Sequence, residues 1–495
     1  MWLNFAFWCM LLVAAVWSET LIADDQSSQS PAALREFEHS VSSVVDDARS
    51  SIVAIVVHAS DDLLDPENPL AVTANRYPSR IGIGVISAVE DRQAFILTNA
   101  HLIDRSGVSG QLKPIQVFAG IRSLSDVEVF ASDPRSDLAV LRVVIPENIR
   151  LKALQISDVG IHTGKILIVL GNPKTIVETG QPLMALTICQ AVRLRQSQVP
   201  DEDPTNRLIH DLGTLARFEL GRGLQHSGTV MVDLDGNLSG LVNSLALPSD
   251  ADDRTALAIP MTGGFERIVQ SLLAGYEVEY GFLGISPGTA EAVLPEDLKL
   301  ELPQRTAALI NRVADRSPAQ RAGLEPSDLI LRVNQNEVLS GDDLIREVGL
   351  IGPGETADLL VYRKNRTAPH AVEVKLGKWP VYDDSQIVAS RSRYPAWRGL
   401  TIDYSTSRRR FLPNQFLTSF PEGVVITHVV SGSPAEQAGL LAGQFLGKVG
   451  ETPIETPAEF HHAIDQLNGA VMLTLTTGQR IEIPEAAPND EAKEE

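Results

Sequence analysis

The chain repeats itself. Ser317-Pro-Ala-Gln-Arg-Ala-Gly-Leu324 returns as Ser433-Pro-Ala-Glu-Gln-Ala-Gly-Leu440, six identities in eight at an offset of 116 (433 minus 317). The same offset carries Ser340 onto Thr456, Asp343 onto Glu459 and Leu344 onto Phe460. Ser340-x-x-Asp343 and Thr456-x-x-Glu459 each have the form of a capping box opening a helix, in which a hydroxyl and a carboxylate satisfy first-turn N–H groups reciprocally. Pro457 stands at the favoured first helical position. A repeat of this size calls for two copies of one small α/β module, over 281–377 and 397–480, with 378–396 linking them.

The region before the repeat has a different texture. Ser51–Val57, Ile81–Ala88, Ala94–Asn99, Leu138–Val144, Lys165–Gly171, Thr229–Val232 and Leu238–Val242 are short β-branched runs between turn residues, with no long helix among them. Such spacing predicts an all-β barrel or sandwich of roughly 200 residues. The stretch closes with a helix, since Phe265, Ile268, Val269, Leu272 and Leu273 fall on one face and Gly275 sits where a cap belongs. A helical pattern over Ala32–Asp47 precedes it, which bounds this domain at 36–275. A length of 495 residues accommodates the resulting three domains.

The ends of the chain bear on compartment. Phe5–Val16 is apolar but too short to span a bilayer comfortably. It reads as part of a signal peptide over 1–23, cleaved after Ser18 or Ala23, followed by a linker over 24–35. No Lys or Arg precedes the run, so an uncleaved membrane anchor is the alternative. Residues 484–495 form an acidic tail expected to be disordered. The net charge of −21 repels phosphate backbones and argues against nucleic-acid partners. Once Cys9 is cleaved away, Cys189 alone remains, so neither a disulfide framework nor a cysteine-based zinc site is possible. Cys189 itself reads as buried filler of an apolar run.

Three segments of the β region carry reactive side chains. Leu97-Thr-Asn-Ala-His101-Leu-Ile-Asp104 sets a histidine just past an apolar strand. Asp133-Pro-Arg-Ser-Asp137-Leu-Ala-Val-Leu141 sets an aspartate at the mouth of another, and His226-Ser227-Gly228 sets a serine in a turn before a hairpin. Acyl transfer needs this trio: a serine hydroxyl is a poor nucleophile until an imidazole takes its proton, and a carboxylate must fix the imidazole's tautomer. His226 reads as a solvent-facing loop residue, and Asp233-Leu-Asp235-Gly236 as a hairpin turn lacking the ligands of a calcium loop.

Together these segments resemble the HtrA (Deg) family of trypsin-like serine proteases. The similarity lies in Ile81-Gly-Ile-Gly-Val-Ile86, LTNAHLID, DPRSDLAVL and Leu170-Gly-Asn-Pro173, and in the Ser-Pro-Ala-x-x-Ala-Gly-Leu repeat, which is similar to PDZ domains. The resemblance implies a mainly β chain: a trypsin-like double β-barrel protease domain followed by two α/β PDZ domains. It implies His101 as general base, Asp137 as its orienting carboxylate and Ser227 as nucleophile. It implies an oxyanion hole from the backbone N–H groups of Gln225 and Ser227, with Gln225 standing where the family has glycine, so that it either strains or turns its amide away. Phe282-Leu283-Gly284-Ile285 is similar to a PDZ carboxylate-binding loop and would bind peptide C-termini; in the second copy Arg398 replaces an apolar residue, which suits assembly more than capture. No acid lies within Gly221–His226 to select a basic side chain, and the resemblance implies small aliphatic specificity. It further implies no metal or other cofactor, a periplasmic or envelope location, unfolded proteins and peptides as substrates, and a trimeric homo-oligomer. Two functions follow: an exported, ATP-independent endopeptidase acting on misfolded envelope proteins, or a pseudoprotease scaffold with chaperone-like binding.

Overall fold

The computed structural model describes residues 32–57, 80–103, 115–124, 126–195, 208–244, 254–291, 304–412 and 419–485. The expected signal segment, the acidic stretch Asp61–Glu67, Asp104 and nearly all of the acidic tail lie outside these residues. Among the described residues no helix is long and apolar enough to cross a membrane.

A helix over 32–48, α1, leads into two antiparallel sheets. The first contains β1 (Ile52–Val57), β2 (Arg80–Glu90), β3 (Gln93–Asn99), β4 (Ile115–Ala119), β5 (Arg122–Leu124), β6 (Glu128–Asp133) and β7 (Leu138–Val144), in the order β6-β7-β3-β2-β1-β4-β5. The second contains β8 (Ile166–Gly171), β9 (Leu183–Ile188), β10 (Ala191–Leu194), β11 (Leu215–Glu219), β12 (Val230–Val232), β13 (Leu238–Val242) and β14 (Thr255–Pro260), in the order β10-β11-β14-β13-β12-β8-β9. Helix α2 (Pro173–Thr179) connects β8 to β9, and α3 (Phe265–Leu273) follows β14.

Strand β1 shows why continuous apolar runs suit this arrangement. Alternate side chains point to opposite faces of a strand. Val53, Ile55 and Val57 enter the core inside the first sheet, while Ile52, Ala54 and Val56 enter the core between the two sheets. That shared core joins Ile83, Val85, Leu97 and Val140 of one sheet to Ile168, Leu170, Val230 and Leu241 of the other. Cys189 is buried within the core of the second sheet.

The two repeats have the same topology. Strands 285–291, 306–313, 329–333, 356–362 and 370–375 adjoin in that order, and strands 400–404, 424–429, 445–449, 471–475 and 480–483 reproduce it. Each carries one principal helix, α4 (Gly341–Ile351) or α5 (Pro457–Asp465). The second capping box is complete: Glu459 N–H donates to Thr456 Oγ1 and Thr456 N–H to Glu459 Oε2, both at 3.2 Å. The first is shifted by one residue, because the Asp343 carboxylate takes the Leu339 N–H at 3.0 Å instead of that of Ser340. Ser317 and Ser433 each cap a single turn with Pro at its start, so the repeated motif is a helix-start signal in both copies.

The stretch 378–396 is more than a spacer. Val388–Ala389 adds an outer strand to the first sheet beside β6, and Trp379 N–H donates to Tyr280 O at 2.7 Å, which fastens the exit of the first repeat to its start.

Candidate active site

Register brings His101 and Asp137 together. Strand β3 pairs antiparallel with β7 from Gln93↔Val144 to Asn99↔Leu138, so the residues beyond β3 face those before β7. Ala100 N–H donates to Asp137 O at 3.0 Å, and the chain then makes one 3-10 turn, Ala100–Ile103, that presents His101. Asp137 Oδ1 accepts the His101 N–H at 2.8 Å, and Oδ2 lies 2.7 Å from Nδ1. A carboxylate can only accept here, so Nδ1 carries the proton and Nε2 keeps its lone pair. That lone pair faces Ser227 Oγ at 2.6 Å.

Ser227 comes from the other sheet, and the glycines around it explain how it is held. Gly228 has φ +79°, and a Cβ there would lie 1.8 Å from Ile83 O. A Cβ on Gly82 would meet Ser227 O at 2.9 Å. The closeness lets Ile83 N–H donate to Ser227 O at 2.9 Å, tying the serine turn to β2 across the cleft between sheets. Ser227 is only 4% exposed.

Two residues not singled out in the sequence complete the arrangement. Asn243 Nδ2 donates to Asp137 Oδ2 at 2.8 Å, and Ser244 meets Ser227 Oγ through its hydroxyl and, at 3.3 Å, through its N–H. They form a polar pair at the end of the buried strand β13, the same placement that marks His101 and Asp137.

Gln225 adopts φ −94°, ψ 13°, outside the left-handed region, so the strain expected for a side chain here is absent. Its Nε2 donates to Leu220 O and Thr255 O, both at 3.2 Å, which directs the side chain toward the ends of β11 and β14. His226 is half-buried instead of solvent-facing, and burial pushes its pKa down. Asp233 organises the hairpin turn, its Oδ1 accepting the N–H groups of Asp235 at 3.1 Å and Asn237 at 2.9 Å.

The loop Phe282–Ile285 lies apart from this cluster. Phe282 packs edge-on against Trp379 and Phe420, with centroids 5.6 and 5.2 Å away, and Leu283 is in the core of its own module. Gly284 has φ +77°, and a Cβ on it would lie 3.1 Å from the Phe420 ring. Strand 285–291 is a sheet edge, but its Gly288 lies against the start of α4, where a Cβ on Gly341 would come within 3.1 Å of Gly288 O. Arg398 of the second copy, at φ +51°, donates to Gly469 O, Ile483 O and Pro484 O, binding the ends of its own module together.

Residues 82–241 match the family model of the trypsin-like peptidase domain, and residues 281–376 that of the PDZ domain. Over 400 residues the chain is 26% identical to the "Probable periplasmic serine protease do/HhoA-like" of Haemophilus influenzae, covering 80% of this chain and 76% of that one. It is 24% identical over 398 residues to the periplasmic serine endoprotease DegP of Salmonella typhimurium, covering 80% and 74%. Among solved structures, the HtrA-type protease AlgW with tripeptide is 22% identical, covers 68% of this chain and 97% of that one, and gives a TM-score of 0.45. The chain is a mainly β protein carrying a trypsin-like peptidase domain and a PDZ domain, similar over four fifths of its length to periplasmic serine proteases.

Proposed function

We propose that this is an HtrA-type serine endopeptidase of the periplasm or cell envelope, ATP-independent and acting on unfolded proteins. The reading is carried by His101, which bridges Asp137 at 2.7 Å and Ser227 at 2.6 Å across the cleft between the sheets. In this reading Ser227 attacks the scissile carbonyl, its proton passes to His101 Nε2, and Asp137 stabilises the imidazolium that forms. The same proton then goes to the leaving amine, and water repeats the cycle on the acyl-enzyme. Both repeats serve as PDZ domains, the first capturing peptide C-termini through Phe282–Ile285 by strand addition along 285–291. That capture requires Phe420 to move aside, since it covers Gly284. Assembly into a homo-oligomer belongs to the same proposal.

One observation favours the scaffold reading. Gln225 holds an unstrained backbone where the family's glycine supplies an oxyanion donor, which fits the turned-away alternative better than the strained one. Loss of one such donor costs about 100- to 1000-fold in rate. Labelling by a fluorophosphonate probe distinguishes the readings. Wild type should label slowly and Ser227→Ala not at all, while Gln225→Gly should label about 100-fold faster than wild type. Equal labelling of wild type and Ser227→Ala would remove Ser227 as nucleophile; labelling of Gln225→Gly alone would establish the scaffold.

A further inference from the structure

His210 is fully buried, at 0% exposure, and takes no part in the triad. It sits on the 3-10 turn Ile209–Leu212, with its ring parallel to Phe265 at 6.1 Å. Its Nε2 lies 2.8 Å from Ser136 O, which can only accept, so Nε2 carries the proton. Nδ1 then accepts from the Thr214 hydroxyl at 2.7 Å. Burial holds the pKa of the ring down, against the opposing pull of Asp137, and this keeps it a neutral single-proton donor.

The carbonyl it grips belongs to the residue before Asp137. The preceding carbonyl, Arg135 O, accepts the Ile209 N–H from the same turn at 2.9 Å. Asp137 has φ +53°, a left-handed conformation that a non-glycine residue keeps only when its surroundings impose it. The rest of the loop is clamped as well: Ser136 N–H donates to Asp133 Oδ2 at 3.0 Å, Tyr280 OH to the same oxygen at 2.5 Å, and the Arg135 guanidinium lies 4.5 Å over both the Tyr280 and Trp379 rings. The turn that carries His210 is itself anchored to the PDZ domain. Buried Arg346 of α4 donates to Leu212 O at 2.7 Å and Gly213 O at 3.3 Å, with Asp343 and Glu347 balancing its charge.

We propose that His210 is a positioning residue for Asp137, and that Arg346 makes the PDZ helix part of its support. The inference deepens the protease reading and rests on it for its catalytic consequence, though not for its geometry. Without the Nε2–H, Ser136 O loses its donor, the peptide between Ser136 and Asp137 keeps only the 3.3 Å bond from Asp137 N–H to Pro134 O, and the carboxylate shifts against His101 Nδ1.

The test is the full-length protein with His210→Phe, which keeps the ring stacked on Phe265 but removes the donor, beside His210→Gln, whose amide can offer an N–H to the same carbonyl. His210→Phe should lower kcat about 10- to 100-fold with KM unchanged, as for a displaced catalytic group, and His210→Gln should recover most of it. The low-field proton resonance of the His101 Nδ1–H bound to Asp137, identified by its loss in Asp137→Asn, should vanish in His210→Phe and return in His210→Gln. Arg346→Met should move both readouts in the same direction by a smaller amount, and it covers the case in which His210→Phe does not fold. Unchanged kcat and an unchanged resonance in His210→Phe, or in Arg346→Met when His210→Phe is unfolded, would overturn the proposal. Should wild type show the resonance yet resist the fluorophosphonate, the endopeptidase reading fails while the resonance still decides the positioning role.

Discussion

Asp137 Oδ2 receives His101 Nδ1 at 2.7 Å and Asn243 Nδ2 at 2.8 Å, with Asn99 Nδ2 a longer third donor at 3.4 Å. Removing the second frees the carboxylate to swing and leaves it less well stabilised while the imidazolium forms. Asn243→Ala should therefore lower kcat/KM about 10-fold with little change in melting temperature; an unchanged kcat/KM would mean that His101 and Asn99 hold the aspartate without it. As candidates, His101 and Asp137 were legible because each stands beside an apolar strand motif and Ser227 because of its glycine-containing turn, while Gly82 marks where β2 approaches that turn. The conformation at Gln225 was not. Glycine preference at a site says nothing of what a replacement does, and here the preceding turn, closed by Leu224 N–H on Gly221 O at 2.8 Å, delivers it at negative φ. His210 escaped notice because a histidine outside any motif has no sequence signal; only folding shows that both its nitrogens are used.

Elements were more legible than their surroundings. Leu138–Val144 and Leu238–Val242 are the strands that their patterns predict, and α3 spans the five apolar positions read as one face. Both helix starts hold, though only the second as a reciprocal box. Thr456→Ala breaks a reciprocal box at the start of α5 and should destabilise by about 1 kcal/mol in a chemical melt. What the pattern of a strand edge cannot show is what lies over it. Phe420 closes on Gly284 and Phe282, and Phe420 N–H donates to Asp315 O at 3.0 Å. Phe420→Ala should expose the loop and tighten binding of a free C-terminal peptide, read by fluorescence anisotropy. Equal affinity in wild type and variant would show that the ring is no obstacle.

On the scale of the whole molecule, the joint between units holds an ionic cluster beside the Phe282–Phe420 packing. Lys378, 2% exposed, meets Glu277 at 3.1 Å, Glu279 at 2.9 Å and Asp403 at 2.9 Å, and Arg408 forks onto Glu277. Removing the ammonium leaves three carboxylates without their shared partner, so Lys378→Met should destabilise by about 3–5 kcal/mol. Burial on its own would raise the pKa of Glu277, but Lys378 and Arg408 outweigh it and hold the group at about 2, against an ordinary 4.5. A depressed folded pKa contributes stability that is complete above 4.5 and is lost as pH falls from there toward 2. For Asp403 burial prevails and the pKa rises, which works in the opposite sense and blunts the onset of that loss. Urea melts of wild type should weaken across that window, and Glu277→Gln should flatten the slope; parallel slopes would rule out Glu277 as the titrating group. None of this was legible as a contact, because the partners lie far apart in the chain, although the stretch 378–396 that holds Lys378 stood out by position. The hydrogen bond between Trp379 and Tyr280 has a mechanical consequence. The chain enters and leaves the PDZ domain at adjacent points, joined there also by the pairing of Gly281 with Lys378, so tension along the chain is carried across these bonds and the Val388–Ala389 rung before it loads the domain.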